Sequence, residues 1–218
     1  MGLEVLIAVI IGAVVWVVEH VVDLMENRSL FPAGPIPMVT NPELMDDTDR
    51  KMIKQSREIL ETWLGEEPAA SLNSLIAEDR KKAIEGILND LVKLYGLEIK
   101  GLQYDDLGRA LAGFYDDSKR IICINYRYLL CDDEEALNNL LLTLFHELRH
   151  AVQYNVVRHP GGLWDKTNET ARRYATSIKN YIRPEVNFEA YANQLIEVDA
   201  DTFAALVLER KSESGVSA

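Results

Sequence analysis

Leu140-Leu141-Leu142-Thr143-Leu144-Phe145-His146-Glu147-Leu148-Arg149-His150-Ala151-Val152 is an apolar run with His-Glu-x-x-His set into it. Side chains four apart share one face of a helix, one turn above the other. His146 and His150 can therefore aim two imidazole nitrogens at one point. Tetrahedral zinc accepts that arrangement, and a catalytic site leaves one position open for water. Glu147 follows the first histidine, where a carboxylate can take a proton from a metal-activated water. Leu137, Leu140, Leu141, Leu144, Phe145, Leu148, Ala151 and Val152 leave this helix little polar surface. Two imidazoles and a carboxylate are costly to bury there unless something pairs with them, and a metal would. Arg149 is a charge just before the second histidine, and its long stem lets the head snorkel to water.

A third protein ligand is required. A histidine six residues after His150, with glycine three residues after it, would give one class of site, but Gln153 and Val156 occupy those positions. His20 ends an N-terminal apolar segment, and His159 adjoins the loop residues Pro160-Gly161-Gly162. The better source is Tyr191-Ala-Asn-Gln-Leu-Ile-Glu197-Val-Asp199-Ala-Asp201-Thr-Phe203-Ala-Ala. Glu197 and Asp201 are again four apart on an expected helix. Glu197 can ligate the metal while Asp201 accepts the remaining imidazole N–H of a ligand histidine. Asp199 is the rival ligand, on the far side of a regular helix from Glu197, and His159 is the other alternative.

His146-Glu147-Leu148-Arg149-His150-Ala-Val-Gln153 followed by Glu197-Val-Asp-Ala200-Asp201-Thr-Phe203-Ala204 resembles the gluzincin group of zinc metallopeptidases. Within it, the chain is most similar to the small ImmA/IrrE-like bacterial and phage peptidases, which carry a similar Glu-x-x-Ala-(Asn/Asp)-x-Phe-Ala helix. The resemblance covers residues 80 to 210. The Leu-Leu-x-Pro ending usual after the second motif is replaced by Leu206-Val-Leu-Glu-Arg. The resemblance implies an α+β, zincin-like fold. In it a small twisted sheet with a hairpin packs against the His-Glu helix and a second, ligand-bearing helix. It also implies that an edge strand, here Gly113-Phe114-Tyr115, pairs with an extended peptide substrate.

Around this centre, residues 3 to 22 form an apolar segment of about 20 residues, long enough for a single transmembrane anchor. No Lys or Arg precedes it, whereas Arg28, Arg50, Lys51 and Lys54 follow. That asymmetry places the C-terminal domain on the cytoplasmic side. Pro32, Pro35, Pro37 and Pro42 mark residues 29–46 as an extended linker after the 1–28 anchor. The catalytic domain is expected over 47–211, and 212–218 as a frayed tail.

Within the domain, Asp47–Leu64 has helical spacing, with Met52, Ile53, Ile59, Leu60 and Trp63 inward and Asp47 or Thr48 as cap. A second helix is expected over 78–95, with Ile84, Ile87, Leu88, Leu91 and Leu94 inward and Gly96 as its stop. Strands are expected over 97–104, 109–115 and 120–126, the last two joined by a turn at Asp116-Asp117-Ser118-Lys119. Helices are expected over 168–181 and from Asn187 to Arg210.

The net charge of −12 and the absence of a Lys/Arg cluster exclude a nucleic-acid-binding face. Cys123 and Cys131 lack Cys-x-x-Cys spacing and read as reduced thiols. Tyr191, Tyr181 and His159 are candidates to stabilise an oxyanion. The sequence thus leads to a membrane-tethered zinc endopeptidase acting on a peptide or protein substrate. Zinc would be held by His146, His150 and Glu197, with Asp201 behind them and Glu147 as general base. The alternative is a silent zincin-like binding or sensor module on the same anchor. Oligomeric state is not encoded in any recognisable pattern.

Overall fold

The computed structural model describes residues 38–108, 111–161 and 167–209. The expected anchor, the linker up to residue 37 and the expected tail lie outside the described residues. Among the described residues no helix is long and apolar enough to cross a membrane. The fold is α+β, mostly helical, with one three-stranded sheet.

Helix α1 spans the expected Asp47–Leu64, but its cap lies one residue earlier than expected: Asp46, not Asp47 or Thr48, accepts from the Asp49 N–H. Asp49 returns a bond to the Asp46 N–H, which closes a reciprocal box around the first turn. Helix α2 (Pro68–Asn73) is short, and α3 (Ala77–Tyr95) ends where Gly96 takes a left-handed φ of 62°. Met52, Ile53 and Leu60 of α1 and Ile84, Ile87, Leu88 and Leu91 of α3 are buried as their spacing implies. Trp63 and Leu94 are instead 44% and 37% exposed. Trp63 lies across the surface of α3, where a Cβ on Gly86 would sit 2.2 Å from its ring, and its Nε1–H donates to Asp90 at 3.0 Å. Leaving Gly86 without a side chain is what lets an aromatic ring rest on the helix backbone.

Strands β1 (Gly101–Asp105), β2 (Gly113–Asp116) and β3 (Ile121–Asn125) are shorter than expected and lie in the order β1-β3-β2. The expected turn at Asp116–Lys119 joins β2 and β3 as an antiparallel hairpin, with Phe114 opposite Cys123. Asp116 holds that turn by accepting from the Ser118 hydroxyl and the Lys119 N–H. β1 pairs parallel to β3 on its other side, with Gly101 opposite Ile121. All five residues of β3 are buried, which explains its continuous apolar run. Cys123 and Cys131 are buried free thiols.

Helix α4 (Glu134–Arg158) is the axis of the domain. Asp133 caps it by accepting from the Ala136 N–H at 3.0 Å, and Glu134 and Glu135 suit its positive N-terminal end. Strands β2 and β3 pack on one part of it, and α2, α5 (Asn168–Lys179) and α7 (Leu195–Leu208) on others. The single helix expected from Asn187 to Arg210 is two: α6 (Phe188–Ala192) and α7, separated at Asn193-Gln194. Gln194 explains the break. Its side chain accepts from the Ile182 N–H at 2.7 Å and donates to the Ile182 carbonyl at 3.0 Å, tying the chain before α6 to the start of α7.

Candidate metal centre

Helix α4 supplies His146, Glu147 and His150, and α7 lies against it with Glu197 and Asp201 facing the same point. His146, His150 and Glu197 each offer a ligand atom, and these atoms lie within 4.8 Å of one another. The two Nε2 atoms are 3.0 Å apart. Glu197 Oε2 is 3.4 Å from His146 Nε2, and Oε1 is 3.7 Å from His150 Nε2. Of the expected alternatives for the third ligand, His159 is exposed at the far end of α4, and Asp199 faces away into a different set of partners.

The opposite ring nitrogens show why Nε2 is the one presented. His146 Nδ1 is 2.9 Å from Asp201 Oδ1, a carboxylate that can only accept, so this nitrogen carries a proton. His150 Nδ1 is 2.8 Å from Gln153 Oε1. The Gln153 amide nitrogen donates to the Ile196 carbonyl at 2.9 Å and to Asp199 at 2.7 Å, which leaves its oxygen to face His150. Both imidazoles are thereby held with Nε2 as the electron-pair donor. Two such lone pairs 3.0 Å apart beside a carboxylate repel one another unless a cation lies among them. Glu197 Oε2 is buried there without a hydrogen-bond partner. The donor set of His146, His150 and Glu197 therefore fits a metal ion.

The electrostatics say the same in the language of protons. Burial pulls the His146 pKa down, but the bond to Asp201 and the neighbouring Glu197 and Glu147 carboxylates outweigh it and raise it well above its ordinary value. His150 is also raised, Glu197 overcoming burial and the repulsion of His146. For Glu197, burial acts upward, and the two histidines more than reverse it, holding the carboxyl well below its usual range. Glu147 is 7% exposed, and burial raises its pKa against the opposing pull of both histidines and the Tyr115 N–H. A carboxylate so raised is a better proton acceptor near neutral pH.

Edge strand β2 runs directly over this face of α4. A Cβ on Gly113 would lie 2.6 Å from Thr143 Cγ2 and 2.8 Å from the Cys123 carbonyl, with Glu147 Cγ at 3.6 Å. Only glycine allows the strand to come this close. Tyr191 is on α6 rather than on the ligand helix. Burial and then the Glu197 charge push its hydroxyl pKa up, and Tyr181 stacks edge-on against it with centroids 6.0 Å apart. Both tyrosines thus border Glu197.

Protein-family models, characterised proteins and solved structures give no match to this chain.

Arg149 overturns a sequence expectation. Its guanidinium does not reach water; the residue is 0% exposed. It makes a two-pronged contact with Asp199, Nε at 2.7 Å and Nη2 at 2.9 Å. Asp49 of α1 lies 2.8 Å away, and Tyr174 of α5 bonds both Arg149 and Asp199. Phe203 stacks beneath the guanidinium at 5.1 Å. Since Asp199 also accepts from Gln153, this buried cluster backs directly onto His150. Sequence reasoning missed Gln153 in this role, although its position three residues after His150 on the same helix placed it within reach.

Proposed function

We propose that the chain is a zinc metalloendopeptidase of the gluzincin type, with motifs resembling those of the ImmA/IrrE-like peptidases, and tethered to the membrane through residues 1–28. The observation that carries this reading is the convergence of two Nε2 lone pairs and an unpartnered Glu197 oxygen beside a buried Glu147. His146, His150 and Glu197 would hold a metal, which when bound would supply Lewis-acid polarisation and an acidified water. Asp201 and Gln153 keep the two imidazoles in the ligating tautomer. Glu147 accepts the proton of the attacking water and returns it to the leaving amine. The outer side of β2 gives an extended peptide a strand to pair with, next to Glu147. Tyr191 and Tyr181, bordering Glu197, are the hydroxyls available to a developing oxyanion.

The test measures zinc content and peptide hydrolysis on the wild-type chain, Glu197→Ala and Glu147→Gln. The expected result is about one zinc per chain in the wild type, loss of zinc in Glu197→Ala, and full zinc with cleavage reduced by at least ~10²-fold in Glu147→Gln. Undiminished cleavage by Glu147→Gln would remove the mechanism. Stoichiometric zinc without hydrolysis of any peptide in the wild type would assign the silent binding module instead.

A further inference from the structure

Asp201 has two carboxylate oxygens, and the metal-centre geometry uses only one. Oδ1 faces His146; Oδ2 accepts a hydrogen bond at 3.0 Å from the backbone N–H of Val39, 162 residues away in sequence. The terminal torsion of an aspartate is broad and soft. With one oxygen free, the other would swing and His146 would lose its fixed partner. The Val39 N–H pins that rotation.

Val39 is itself fixed by its surroundings. Two residues on, the Asn41 N–H donates to Thr202 Oγ1 at 2.8 Å, and Thr202 donates to the Val198 carbonyl at 2.5 Å. The segment is thus bonded to successive residues of α7, one of them the partner of His146. Asn41 then caps a 3-10 turn over Pro42–Leu44, Met45 is buried at 3% exposure, and Asp46 starts α1. Asp49, in the first turn of α1, meets Arg149. Residues 38–49 therefore touch the supports of both histidines, Asp201 behind His146 and the Arg149–Asp199–Gln153 cluster behind His150. The composition of 29–46 reads as a linker, yet its last residues are built into the metal centre.

We propose that residues 38–41 form a strap whose Val39 N–H is a positioning group for His146, acting through Asp201; the inference rests on the metal reading above. Loss of a group that itself holds a ligand costs ~10- to 100-fold in metal affinity. The strap acts one bond further out, and about 3- to 10-fold is expected.

The experiment uses the full chain as Val39→Pro, which deletes the donor, and Val39→Ala, which keeps it. Zinc affinity is measured by chelator competition. On metal-free protein, NMR follows the hydrogen-bonded Nδ1 protons of His146 and His150. Val39→Pro should weaken zinc binding by about 3- to 10-fold and lose the His146 Nδ1 proton signal while keeping that of His150; Val39→Ala should match the wild type. Equal behaviour of the two variants overturns the strap. If Val39→Pro does not fold, by circular dichroism, Thr202→Val decides: faster exchange of the His146 Nδ1 proton alone supports the strap, and no change overturns it. A wild-type chain that binds no zinc removes the metal reading, and the metal-free NMR comparison still decides the strap.

Discussion

Replacing Arg149 by methionine removes one buried cation and leaves the carboxylates it serves in place. In the wild type the guanidinium meets Asp199 at 2.7 Å and Asp49 at 2.8 Å, with side chains no more than 3% exposed. Breaking a buried pair by deleting one partner costs about 3–5 kcal/mol, because the remaining charge has neither water nor a counterion. Two effects act in opposite directions here. Asp199 keeps donors from Tyr174 at 3.1 Å and Gln153 at 2.7 Å, which lessens the loss. The stacking of the guanidinium on Phe203 disappears as well, adding ~0.5–1 kcal/mol. The expected destabilisation is therefore about 3–5 kcal/mol. At a slope near 2 kcal/mol per M, the urea midpoint should fall by about 2 M, read by far-ultraviolet circular dichroism. Adding Asp49→Asn and Asp199→Asn to Arg149→Met should recover much of the loss, since amides need no cation. A loss below about 1 kcal/mol, or no recovery in the triple variant, would refute the claim that this cluster is held by its charges.

The packing of β2 over α4 gives a second test. Gly113→Ala places a methyl 2.6 Å from Thr143 Cγ2 and 2.8 Å from a backbone carbonyl, so β2 must lift; a loss of ~1–3 kcal/mol is expected in thermal unfolding, and an unchanged midpoint would contradict the close approach. The raised pKa values of His146 and His150 make zinc compete with protons. Zinc binding should release protons near neutral pH and tighten as pH rises, measured by calorimetry in buffers of different ionisation enthalpy; binding without proton release would contradict the assignment. In the metal-free chain the same shifts stabilise the fold fully below the unfolded histidine pKa of about 6.5, and that contribution is lost as pH rises through the raised folded values.

The sequence makes the chemistry of α4 legible because its meaning is local. Two histidines four apart, with a glutamate between them, declare a face whatever surrounds the helix. Glu197 and Asp201 are readable for the same reason, and the structure brings both to that face. Asp199 turns away, as helical periodicity requires. What sequence reading misses depends on partners distant along the chain. Nothing near Arg149 shows that Asp199, 50 residues later, and Asp49, 100 residues earlier, will pair with it in the interior. An isolated arginine in an apolar helix is cheaper to imagine snorkelling. The break before α7 is hidden likewise, because Gln194 stops the helix by bonding to Ile182 rather than by a glycine or proline. The hairpin of β2 and β3 is announced by its turn. The parallel placement of β1 beside β3 carries no comparable local signal, and only the uninterrupted apolar run of β3 shows that both its faces are covered. The bonding of Val39 and Asn41 to α7 is hidden as well, because backbone N–H groups carry no trace in composition.

One consequence of α4 concerns how evolution and mutagenesis can act on it. An ordinary surface helix leaves every third or fourth position open to almost any residue. Between 146 and 153 there is no such position. His146 and His150 face the candidate metal point with Glu147 buried beside them; Leu148, Ala151 and Val152 are core at 0–2% exposure; Arg149 and Gln153 are both 0% exposed and hold the support behind His150. Chemistry, core and scaffolding interleave over two turns with no residue left over. In a scan of all single substitutions this window should stand out as an unbroken block of intolerance, whereas Lys54 to Glu58 of α1, whose exposed ends form only a surface pair at 3.9 Å, should show the usual alternation.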